Sequence, residues 1–273
     1  MSNITGRPTV AALGMYKQAT SASTGTGTVA PDFVTYVGQR FDTSDGRELV
    51  LVANGAAALV SGTVIQSAAE IAGFQALAMT VPAAYPATAG LFQILVTNGA
   101  TVLNVNQFAG GYLIVDSGTG LGQTLKISQH QAAANGATFV VTLEDPIQVT
   151  LTASSKITLA YNMYYNVITS TGSTATGAPV GVAFYPVAAA VAPTYNATSG
   201  ALVTVGVQQY ALLAAKGPVG ILGDSTVPAV GFPVAQGTAT AGAMGVASVG
   251  KASIGNTLQS GTSAHVTLVH LNL

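Results

Sequence analysis

Charge is what this chain has least of. It holds 8 lysines and arginines and 9 aspartates and glutamates in 273 residues, so 6% of the chain is charged. A soluble domain ordinarily draws about a quarter of its residues from these four types. None of them occurs from Ile157 to Ala215 or from Ile71 to Val115. Thr, Ser, Asn, Gln, Ala and Gly fill the gap, and the surface they imply is neutral. Such a surface has few ion-hydration shells to shed when it meets another protein, and it keeps a lone monomer only modestly soluble. The basic residues stand singly along the sequence. That argues against a nucleic-acid partner, because neutralising phosphates needs a clustered basic face.

Cysteine is absent, which excludes disulfides and thiolate metal sites and leaves stability to packing and to oligomerisation. Long apolar runs are missing too. A spanning helix needs about 20 consecutive apolar residues, and every candidate is interrupted, as Val81 to Ala100 is by Pro82, Pro86, Gln93, Asn98 and Gly99. No membrane partner is expected. The start, Met1 to Pro8, lacks the apolar segment of a cleavable leader.

What is present reads as β. Glu48 to Val52, Val102 to Val105, Tyr112 to Val115, Thr124 to Ser128, Ala137 to Leu143, Ile147 to Leu151 and Lys156 to Leu159 are short, β-branched and often alternating. Turn pairs such as Asp45-Gly46, Asn54-Gly55, Asn98-Gly99, Asn135-Gly136 and Asp145-Pro146 separate them. Strands of about five residues with that punctuation predict an all-β fold of short-stranded barrel or sandwich domains rather than alternating βα units. Helix signals are confined to Ser67 to Ala72 and Gln129 to Ala134, each too short to be stable alone.

Hydrophobic residues make up 49% of the chain, enough for one large or two modest cores. Composition suggests an extended N-terminal arm over 1–37, a central β domain over 38–168, linker and extended loops over 169–205, and a small C-terminal β domain over 206–273 with 38–66 set to pack beside it. One basis for that last pairing is an internal echo. Asn54-Gly55 followed by Ala58 to Val64 resembles Lys216-Gly217 followed by Gly220 to Val227, each reading as a strand that ends in a glycine turn.

Reactive groupings are sparse. Gly223-Asp224-Ser225 has the look of a nucleophile block, yet acyl transfer needs a histidine oriented by a nearby acid. His265 and His270 have no carboxylate upstream closer than Asp224 itself. Gly118 to Gln123 has GxGxG leading into a strand rather than the GxGxxG that opens a helix, and it reads as a hairpin loop. His130 is isolated. His265 and His270 are five apart on an expected strand and face opposite sides. Glu144-Asp145 adjoins Pro146, and Asp42, Asp45 and Glu48 lack EF-hand spacing. No catalytic residue, metal or cofactor is expected. Two sequons, at Asn3 and Asn196, carry no weight without a secretory signal.

Three blocks of the chain resemble the auxiliary head proteins of tailed bacteriophages, called decoration or cement proteins. The first is Val37 to Phe41 with Ser44 to Leu49 and Ala56 to Gln66; the second is Gly110 to Val115, Gly118 to Ile127 and Leu143 to Ile147. The third holds Gly217-Pro218-Val219, Val230 to Val234, Ala241-Gly242-Ala243 and Ile254 to Leu258. One departure is Gln208-Gln209-Tyr210, where many relatives carry a Trp; this chain has none.

The resemblance implies a structural virion protein without catalysis, seated on the outer surface of the capsid as a homotrimer and bound to the major capsid protein, which it braces against packaged DNA. Multivalent attachment by flat, neutral faces agrees with the composition. Arg7, Tyr16, Lys17, Phe33 and Tyr36 are the expected interface residues, being aromatic and basic anchors within a loop-like segment. A trimeric tail-fibre or adhesin-type module that binds host-surface glycans would share the composition. A glycan hydrolase would need paired carboxylates, for which Glu48 or Glu70 with Asp116 is the available set.

Overall fold

The computed structural model describes residues 19–22, 37–75, 78–172, 176–191, 194–195, 202–204, 207–247, 253–259 and 261–273. The fold is all-β, with one 3-10 turn, Ala72–Phe74, as the only helical element among the described residues. Four strands come first: β1 (Ala19–Ala22), β2 (Arg40–Asp42), β3 (Glu48–Ala53) and β4 (Val64–Gln66). Next are β5 (Met79–Thr80), β6 (Gln93–Thr97), β7 (Tyr112–Ser117), β8 (Thr124–His130), β9 (Thr138–Leu143) and β10 (Lys156–Ala160). The last group is β11 (Ile168–Thr169), β12 (Pro179–Ala183), β13 (Thr194–Tyr195), β14 (Leu202–Thr204), β15 (Val207–Leu222), β16 (Pro233–Gln236), β17 (Met244–Val246), β18 (Ser253–Thr257) and β19 (Val266–Asn272).

Contacts divide the chain into two units, Ala69–Asn162 and a second made of the residues up to Ala68 together with Met163–Leu273. This differs from the boundaries 38–168, 169–205 and 206–273 suggested by composition. The reason is strand pairing between distant segments: β3 lies antiparallel along β15, and β4 along β12. The stretch 169–205 also holds β12, whose Val180 and Val182 are buried. Packing is close along β12, where a Cβ on Gly181 would stand 2.7 Å from the Ala214 carbonyl oxygen. Of the expected arm, only Ala19–Ala22 and Val37 are described, and Ala19–Ala22 pairs as β1 with Val207 to Tyr210.

Residues 69–162 form a closed barrel in the order β10-β5-β6-β9-β8-β7. Alternation builds it. Leu113 and Val115 of β7, Leu125 and Ile127 of β8, Phe139, Val141 and Leu143 of β9, and Ile157 and Leu159 of β10 all turn inward. Thr124, Ser128 and Thr138 lie on the outer side of the same strands. Period-2 patterning of this kind puts one face of every strand into a core filled by side chains. Two expected strands are absent: Val102 to Val105 and Ile147 to Leu151 contribute only the isolated bridges Leu103–Ala133 and Leu151–Ala87. Leu103, Ile147 and Leu151 are buried all the same. Neither of the two short helix signals gives an α-helix. Ser67 to Ala72 leads into the 3-10 turn, while Gln129 and His130 finish β8, and Ala133 pairs with Leu103.

The other unit is an eleven-stranded sheet whose main path is β11-β4-β12-β15-β19-β18-β16-β17, with β3 also on β15, and β2 on β3. β3 is buried along its whole length. Leu49, Leu51 and Ala53 join one apolar cluster with Tyr210, Ile221 and Val269; Val50 and Val52 join another with Ile65, Val180 and Leu213. A strand buried on both faces reads as a continuous apolar run, which is what Glu48 to Ala53 shows after its first residue. The longest strand, β15, departs from the internal echo. Lys216-Gly217 does not end a strand; β15 runs through it, with an irregularity between Ala214 and Lys216. Its first part pairs with β3 and its second with β19, and this long-range pairing carries the strand past the glycine.

Candidate functional site

All five expected interface residues, Arg7, Tyr16, Lys17, Phe33 and Tyr36, lie outside the described residues. What the described residues present is a set of structural polar groups and two surfaces with exposed apolar side chains.

Asp224 follows β15 and is buried. Its Oδ2 accepts the backbone N–H of Thr238 at 2.6 Å and of Ala239 at 3.0 Å, and its Oδ1 accepts that of Thr240 at 3.1 Å. Burial alone would push this carboxyl up, but the backbone donors of Ala239, Thr238, Ser225 and Thr240 outweigh it and hold the group below its ordinary value. The carboxylate thus pins the 237–240 turn. The His265 main chain does come alongside, its carbonyl accepting the Gly223 N–H at 2.8 Å. Its ring turns instead to the Thr262 hydroxyl and the Ser263 carbonyl, each 2.9 Å from Nδ1. Asp224, Ser225 and His265 therefore do not align as acid, nucleophile and base. His265 precedes β19 rather than lying on it, while His270 projects outward from that strand; both are exposed.

His130, at the end of β8, is 4% exposed. Its Nε2 accepts the Phe108 N–H at 2.9 Å, and its Nδ1 donates to the Gln131 carbonyl at 2.9 Å. Glu48 pairs with Arg40, and Asp45 with Arg47 at 2.7 Å. The Arg47 guanidinium and the Thr43 hydroxyl hold the Asp45 carboxyl down to about 2. Asp42 faces Glu48 across β2 and β3, but the ion pairs of Asp45 and Glu48 supply cations from the chain itself. Glu144 pairs with Lys126 at 2.7 Å, and Asp145 Oδ2 accepts the Lys126 N–H at 3.1 Å. Glu70 is exposed, Asp116 accepts the Thr158 hydroxyl, and Glu48 belongs to the other unit. Among the described residues no three of His, Cys, Asp and Glu gather as a metal site would need. The loop Gly118 to Gly122 joins β7 to β8 as a hairpin loop. Gln123 secures it, its Oε1 accepting the N–H of Gln148 and of Val149 at 2.8 and 3.0 Å.

The first apolar surface lies on the sheet. Antiparallel neighbours share a face, so Val266, Leu268 and His270 of β19 line up with Leu222, Gly220 and Pro218 of β15. Asn256 of β18 stands beside His270, and Leu258 donates its N–H to the Leu268 carbonyl at 2.9 Å. Phe232 joins at the margin, its carbonyl accepting the Thr257 N–H at 3.0 Å. Val266 is 64% and Phe232 61% exposed. On β15, β18 and β19 the only Asp, Glu, Lys or Arg is Lys216, opposite Asn272 at the far end. Sequence reading passed over this face because Val266 to Leu271 places apolar residues on both sides of the strand.

The second surface is one end of the barrel. Gly90 and Ile147 are joined by a 2.8 Å backbone hydrogen bond, Ile147 and Leu91 by one of 2.9 Å, and Leu143 and Phe92 by one of 2.8 Å. With the Gln123 bonds, these ties gather three loops that leave Leu91, Phe92, Leu121 and Val149 exposed. No protein-family model, curated protein or solved structure matches this chain.

Proposed function

We propose that this protein is a structural component of a tailed-bacteriophage particle, a decoration protein that seats on the outside of the capsid shell and binds the major capsid protein as a homotrimer. The observation that carries the reading is the face of β15, β18 and β19, where Val266, Leu268 and Leu258 are exposed and the only Asp, Glu, Lys or Arg on the three strands is Lys216 at the far end. Covering such a face against protein removes apolar area from water without stripping ions of hydration. The ionisable groups described above support the same reading. Asp224, His130, Glu48 and Asp45 each serve a turn, a loop or an ion pair. Repeated weak contacts from three copies give tight attachment without any deep pocket.

The test is to mix the purified protein with expanded phage heads that lack their decoration protein and to sediment the particles. Saturable co-sedimentation, with free protein sizing near three times 27.1 kDa, is the expected result. Protein that stays in the supernatant as a monomer, or that instead binds host-surface glycans on an array, overturns it.

A further inference from the structure

We propose that the segment 104–111 is an acid-released latch on the barrel, kept closed at neutral pH by the uncharged side chain of His130. This segment runs beside the stretch 127–133. Leu103 and Ala133 exchange two backbone hydrogen bonds of 2.9 Å at one end. At the other, Gly110 donates to Ile127 at 2.8 Å, and Ile127 to Gly111 at 2.9 Å. Between them the Asn106 side-chain oxygen accepts the His130 N–H at 2.9 Å, and the Asn106 N–H reaches the His130 carbonyl at 3.1 Å. The central tie is the Phe108 N–H, which donates to His130 Nε2 at 2.9 Å.

That bond needs a lone pair on Nε2. Because Nδ1 lies 2.9 Å from the Gln131 carbonyl, which only accepts, the ring carries its single proton on Nδ1. A second proton can go only on Nε2, where it would face the Phe108 N–H donor. Among the described residues no carboxylate bonds to the ring to compensate the cation so formed. The segment 104–111, β9 and the 3-10 turn contain no titratable side chain. Tyr161, against which Phe108 packs at 4.4 Å, is a phenol and uncharged in acid. Burial accordingly pushes the His130 pKa below its ordinary 6.5, the Gln131 carbonyl opposing it only in part.

Opening has a defined consequence for packing. Phe108 is 2% exposed and sits edge-on to Phe74 at 5.2 Å. Once its N–H loses the acceptor, the ring and the segment that carries it are free to leave the interior while the barrel strands stay paired.

The experiment uses the whole chain and NMR. Long-range proton–nitrogen correlations should show the His130 proton on Nδ1 at neutral pH. The exchange protection of the Phe108 amide, referred to its intrinsic rate, should fall by up to tenfold per pH unit as the pH drops below about 6.5, and should level off once His130 of the closed form itself titrates. Leu113 in β7 should keep its protection over the same range. His130→Gln places an oxygen acceptor near the Nε2 position and does not titrate, so its Phe108 protection should be flat with pH. A proton on Nε2 at neutral pH, a flat wild-type profile, or the same fall in H130Q would overturn the latch. A parallel loss at Leu113, meaning that the whole barrel opens, would do so too. If H130Q does not fold, the wild-type tautomer and the two amide profiles decide alone. This outcome is independent of whether the protein decorates a capsid.

Discussion

Gly217 of β15 lies against Arg47, so close that a Cβ on Gly217 would stand 3.0 Å from both the Cα and the Cγ of Arg47. Its φ of +91° is a conformation that other L-residues rarely adopt. Arg47 in turn holds Asp45 and stacks over Phe184, 5.0 Å from the ring centroid. The glycine is therefore required where β15 passes from β3 to β19. Gly217→Ala combines backbone strain with a collision against backbone, and it should cost roughly 2 kcal/mol or more of stability. Urea unfolding of the two proteins checks this. Equal midpoints would mean that β15 adjusts without strain.

Asp224→Asn keeps the size of the side chain but turns an NH2 group toward backbone donors. The expected loss is about 1–3 kcal/mol, the usual cost of leaving buried donors unsatisfied. The sign with pH is also set. The folded carboxyl sits below the ordinary 3.8, so its contribution is complete above that value and is lost as pH falls through it toward the folded pKa. Wild type and D224N should converge in stability below about pH 3.8, as urea titrations at pH 7 and in acid would show.

The exposed pair Lys126 and Glu144 offers a contrast. Both side chains are more than two-fifths exposed, and such pairs contribute between about 0 and 1 kcal/mol. Glu144→Gln should therefore leave the unfolding midpoint nearly unchanged. A loss comparable to that in D224N would show that Glu144 has a further structural role.

Under the proposed function, Leu268→Lys should leave the fold intact, because the side chain points outward from β19. It should weaken attachment to undecorated heads by at least about tenfold, since a lysine must be desolvated in a neutral contact. Sedimentation binding at two salt concentrations reads this directly. Unaltered binding would remove this face from the contact.

The barrel was largely legible in the sequence. Leu113 and Val115, Leu125 and Ile127, Phe139 and Val141, and Ile157 and Leu159 alternate with Thr, Ser, Lys or less buried residues, so period alone assigns both strand and inward face. The scarcity of charge was equally plain, and with it the neutral surface. The role of Asp224 was not: its carboxylate acts on N–H groups of Thr238, Ala239 and Thr240, and no local pattern announces an acceptor needed fourteen or more residues away.

Local alternation and low charge are written residue by residue, and they determined that this is a β protein with neutral faces. Only the tertiary structure decided that β15 runs on through Lys216-Gly217, that β3 is buried on both sides, and that Ala69–Asn162 is inserted between two stretches of one sheet. Pairing of this kind depends on which distant edges meet, and a period of two is satisfied equally by many partners.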